Sequence, residues 1–68
     1  MAKYPNLKAE LARKNLTLDD VAKLLGKTTR TAGEKVRGVT EFSLSEAMTI
    51  RDVLFPGCTL EYLFKPTQ

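Results

Sequence analysis

The chain has 68 residues, enough for a single domain over residues 1–68 with one small core but too few to wall a deep catalytic cleft. It contains no histidine, so the commonest general base and metal ligand is missing, and a single cysteine, Cys58, forms neither an internal disulfide nor a multi-cysteine metal site. No apolar run approaches the roughly 20 residues that span a bilayer, and the amino terminus lacks the pattern of a signal peptide. The expectation is a cytoplasmic chain with no membrane partner, no metal, no cofactor and no enzymatic activity.

The net charge of +3 is unevenly placed. Between Lys23 and Thr40, five basic residues (Lys23, Lys27, Arg30, Lys35 and Arg37) stand against one acid, Glu34, for +4, whereas the remainder holds six basic and seven acidic residues, for −1. One face is expected to carry a positive field while the rest stays near neutral. An ordinary solvated lump of charge accounts for so short a run equally well. The architecture has to separate the two.

The first helix begins near Pro5, tolerated in an opening turn where its missing N–H would have no partner. Leu7 and Leu11 share a face, with Ala9 and Ala12 alongside and Lys8, Glu10 and Arg13 outward. Lys14 suits the last turn, and Asn15 takes the left-handed conformation that ends a helix. The second helix is capped by Thr17, with Asp19 and Asp20 at its positive end and Asp20 placed as a short capping-box acid. Val21, Leu24 and Leu25 recur at helical spacing beside Ala22, and Gly26 supplies a C-cap. Lys27 alone then separates Gly26 from Thr28, which caps again.

The third helix runs from Thr29 to about Arg37. Thr29, Thr31 and Gly33 make it the least helix-favouring segment, and its apolar side is thin, with Ala32 and Val36 four apart. A helix with so little to bury and so many cations does not serve mainly the core. Gly38 ends it. Ser43–Glu46 is a full capping box for the fourth helix, and Phe42 is placed to staple onto Ala47. Leu44, Ala47, Met48, Ile50, Val53, Leu54 and Phe55 give that helix the broadest apolar surface, which predicts a central position. Pro56–Gly57 stops it. Thr59 caps a last turn in which Leu60, Leu63 and Phe64 look inward. No segment alternates with period two, so the expectation is an all-α fold of five helices.

The run Thr17 to Gly38, T-L-D-D-V-A-K-L-L-G-K-T-T-R-T-A-G-E-K-V-R-G, resembles the lambda-repressor-like helix-turn-helix regulators. Ala22, Gly26, Thr28, Ala32, Val36 and Gly38 fall on that family's recurrent positions. The Leu-rich first helix, the segment E-F-S-L-S-E-A and the closing L-E-Y-L-F extend the likeness to small phage repressors and Cro-type proteins. The resemblance implies a compact five-helix bundle with the helix-turn-helix in helices two and three. Helix three would enter the major groove of double-stranded DNA and helix two would lie across the backbone.

Carried over by position, Thr29 and Arg30 become base readers, Arg30 by paired donation to guanine O6 and N7. Gly33, expected on the same exposed side one turn later, would permit close approach. Glu34 would accept from cytosine N4 or be repelled by phosphate, and both options stay open. Lys27, Thr28, Lys35 and Arg37 become phosphate contacts, with Lys23 a further candidate. Family members often place a phosphate-gripping Gln where this chain has Leu18. The implied function is a sequence-specific transcriptional regulator, of repressor type, with a homodimer on a pseudo-palindromic site as the geometric expectation. Tyr62, beside Leu60 and Phe64, offers one apolar patch for such pairing. The alternative is an antirepressor-like helical protein-interaction module that reads no DNA.

Overall fold

Caps and breakers place five helices along the chain: α1 (Pro5–Arg13), α2 (Leu18–Leu25), α3 (Thr29–Arg37), α4 (Leu44–Leu54) and α5 (Leu60–Leu63). The computed structural model describes residues 3–66, and among these no strand occurs and no helix is long and apolar enough to cross a membrane. Each N-cap expected from the sequence is made. Thr17 accepts from Asp20 N while the Asp20 carboxylate accepts from Thr17 N at 2.8 Å. This backbone N–H is the main reason the Asp20 carboxyl sits below its ordinary range. Thr28, Ser43 and Thr59 accept from Thr31, Glu46 and Tyr62 backbone N–H groups. The left-handed helix ends fall at Asn15, Gly26 and Gly38, with φ of 59°, 68° and 86°.

The core gathers Tyr4, Leu7, Leu11, Val21, Ala22, Ala32, Val36, Ile50, Phe55 and Leu63, drawing on every helix and on Phe55 just past the end of α4. The α2–α3 pair packs most closely, as the small Ala22 and Ala32 permit. Phe42 meets Tyr4 and Phe64 at ring-centroid distances of 5.8 and 5.2 Å, closing an aromatic cluster that joins the start of α1, the α3–α4 connection and the end of α5. Cys58 is half-buried against the same core.

Three expectations are corrected. Glu10, expected outward, is buried because Leu7, Glu10 and Leu11 form one stripe on α1 that α5 covers. Its carboxylate accepts from the Tyr62 hydroxyl at 2.8 Å and from Arg13 at 3.0 Å. That bond raises the Tyr62 pKa and fixes the ring by its polar end. Ala9 and Ala12, expected alongside the leucines, are exposed. Finally, α4 is less central than its composition suggests. Ile50 is its one fully buried residue, while Leu44, Met48 and Val53 are exposed, because apolar residues sit around more of the helix than its neighbours cover. Lys14 also serves a helix other than its own, donating to the Leu54 carbonyl at 2.7 Å and lying 5.3 Å from the Phe55 ring centre, at the negative end of α4.

Gly38 combines a left-handed backbone with a neighbour, since a Cβ there would collide with the side chain of Lys3. Gly57 has neither feature. Gly38→Ala is therefore expected to lower unfolding stability by at least about 1–2 kcal/mol in urea denaturation, while Gly57→Ala stays within about 0.5 kcal/mol.

Candidate nucleic-acid interface

α3 is seated by a narrow stripe. Ala32, Gly33 and Val36 are buried, and these positions, spaced by one, three and four residues, lie on one side of the helix. The other side is solvent-facing. Lys27, Thr28, Thr29 and Arg30 are all exposed around its amino-terminal end, and the Arg30 side chain is 88% accessible. Thr28 and Gly26 together fix where this end points, one by capping α3 and the other by turning the chain sharply after α2.

Gly33 does not share the open face, and the expectation that it would is corrected. A Cβ at Gly33 would lie 3.3 Å from Leu18 Cδ1 and 3.1 Å from Arg37 Nη1. The missing side chain lets α3 approach the start of α2 and lets the Arg37 guanidinium lie across the helix. Gly33 is a packing position on the covered side of α3.

Lys35 is likewise turned inward. Its side chain and that of Glu46 are each 14% exposed, with Nζ 3.1 Å from the Glu46 carboxylate, and Nζ also donates to the Glu41 carbonyl at 3.0 Å. The position expected to grip phosphate instead ties α3 to the start of α4. Glu46 is held twice, since it also accepts from Ser43 N at 2.8 Å. The Ser43 N–H first, and then Lys35, keeps its carboxyl below the ordinary 4.5.

The remaining candidates are sorted by their partners. Lys23 pairs with Asp19 at 3.2 Å, and Arg30 with Glu34 at 3.7 Å, both across one exposed turn. Such pairs contribute roughly 0.3–0.5 kcal/mol and open readily to a stronger anion. Glu34 thus lies beside Arg30. Thr29 Oγ1 donates to Asp19 Oδ1 at 3.3 Å, so Asp19 gathers a cation of α2 and a hydroxyl of α3. Lys27 and Arg37 have no ion pair among the described residues. Neither has Lys8, on α1.

The contributions of Asp19 and Lys8 escape sequence reasoning. Asp19 is already accounted for by its place in the first turn of α2, at the positive end of the helix dipole, and Lys8 lies outside the basic run; no spacing signal marks either. Among the described residues no cluster of acids and Cys58 suits a metal ion. No family model, curated protein or solved structure matches the chain.

Because the Glu46 carboxyl has its folded pKa below the unfolded value, its contribution to stability is complete above about pH 4.5 and is lost as pH falls through the folded pKa. Lys35→Met is expected to cost roughly 1–3 kcal/mol at pH 7, from the lost ion pair with Glu46 and the lost hydrogen bond to the Glu41 carbonyl. That difference from the parent chain should shrink in urea titrations repeated below pH 4.

Proposed function

We propose that this chain is a sequence-specific DNA-binding transcriptional regulator of the lambda-repressor-like helix-turn-helix class. In this reading α2 and α3 form the motif and α3 enters the major groove by its amino-terminal end. One observation carries the proposal: the exposed end of α3 brings together Lys27, Thr28, Thr29 and Arg30, while Ala32, Gly33 and Val36 hold its other side to the core. Arg30 exchanges its long contact with Glu34 for guanine O6 and N7, a paired donation worth about 1–3 kcal/mol of discrimination. Thr29 contributes a hydroxyl and a methyl to a neighbouring base edge. Lys27 and Arg37, without carboxylate partners among the described residues, contact phosphates, with Lys23 released from Asp19 as a weaker third. Thr28 adds the positive end of the α3 dipole. Lys35 has a structural part only. One reading helix covers one half-site, so two copies on a pseudo-palindromic operator complete the recognition.

A second reading, a helical protein-interaction module, draws on the exposed Leu44 and Val53, 71% and 58% accessible. Salt separates the two. A phosphate-contacting protein loses duplex affinity on a logarithmic plot with a slope of about −0.9 per phosphate neutralised, which an apolar interface does not do. Binding to a selected duplex is expected to fall steeply between low and physiological salt. Arg30→Ala should flatten the preference for that duplex over random sequence by about tenfold or more, whereas Lys27→Ala and Arg37→Ala should weaken both duplexes alike and make the salt slope shallower by about one each. Absence of duplex binding at low salt would exclude the proposal.

A further inference from the structure

A groove of about 380 Å³ lies between α1, the connection leading into α2, and the last turn of α3. That volume is within the roughly 300–1,000 Å³ typical of small-molecule sites. Its apolar lining comes from Leu11 and Val36, which are core residues, and from Leu16 and Leu18, which are partly buried. Two cations border it, Lys8 from α1 and Arg37 from α3. Both are exposed, and among the described residues neither has an ion pair and no acid lines the groove.

Arg37 is held there by an absence. Its Nη1 lies 3.1 Å from the place a Cβ would occupy on Gly33, with Leu18 Cδ1 3.3 Å from the same point. The guanidinium therefore folds back over the glycine towards Leu18, keeping its charge at the groove's edge. Leucine walls and unpaired cations from two helices make a combination of opposite demands. A bare anion gains only a screened attraction at the rim, and a neutral chain gains only apolar burial. A molecule with both parts gains both.

We propose that this groove binds a small amphiphilic anion: a free carboxylate on an unbranched apolar chain, with the chain on Leu11, Leu16, Leu18 and Val36 and the head between Lys8 and Arg37. The groove does not need the DNA reading to exist, but it shares Arg37 with the proposed phosphate contacts, so a bound carboxylate and a duplex would compete for that one side chain.

Titration of the folded chain with sodium octanoate, followed by amide chemical shifts, tests it. Octanoate is expected to saturate and to move Leu11, Leu18, Val36 and Arg37, while acetate produces no saturable change and 1-octanol binds about tenfold more weakly. Lys8→Gln and Arg37→Gln should each weaken octanoate about fivefold, the loss of one charge-assisted contact, with unchanged circular dichroism. Gly33→Ala, which pushes the Arg37 guanidinium and the Leu18 methyl from their present places, should weaken octanoate while circular dichroism shows the helices retained. Equal affinity for octanoate and octanol, shifts confined to other surfaces, or unaltered binding by both charge variants overturns the proposal. So does binding to phosphatidylglycerol vesicles or to duplex DNA with no response to monomeric octanoate.

Discussion

The close seating of α3 against α2 through small side chains governs the rest of the molecule. Ala22 and Ala32 are almost fully buried, and Gly33 leaves no room for even a methyl group between α3, Leu18 and Arg37 without some adjustment. Small residues at a helix crossing allow close approach but supply little apolar area of their own. The helix accordingly needs other anchors: Val36 in the core, the Thr28 cap at one end, the Gly38 turn against Lys3 at the other, and Lys35 bound to Glu46 on α4. With one side held so tightly, the other has no part in the core and stays open to solvent, as the proposed recognition requires.

The partners of the cations then divide the basic run into parts with different work. Lys35 is taken into the fold, Lys23 and Arg30 are lightly held by neighbouring acids, and Lys27 and Arg37 pair with no carboxylate among the described residues. A positive field computed from sequence alone treats these residues as equal, yet their readiness to meet a phosphate is graded by desolvation and pairing. Arg37 has a further constraint, because its guanidinium is drawn over Gly33 to the edge of an apolar groove. Its position is set by the helix it lies on as much as by its charge.

Helix limits were legible because their signals are local. Thr17, Thr28, Ser43 and Thr59 bond to amides three residues away, and Gly26, Gly38 and Asn15 need no distant partner to turn the chain. What escaped the sequence depends on tertiary neighbours. Glu10 is buried by Tyr62, 52 residues away, and Lys35 is captured by a carboxylate on another helix. Gly33 was misplaced because a two-residue apolar stripe, Ala32 and Val36, leaves the helix rotation loosely defined, and a glycine between them gives no polarity to decide it. The exposed Leu44 and Met48 show the converse: apolar composition marks a helix as able to be buried without saying how much surface its neighbours will cover.

The most direct test of the proposed role is to map amide shifts on the folded chain as a selected DNA duplex is added at low salt. The account predicts that the largest changes fall on Lys27 to Arg30 and on Arg37, with Lys35 and Gly33 affected only as neighbours. Changes centred on Leu44, Met48 and Val53, or none at a saturating duplex concentration, would contradict it.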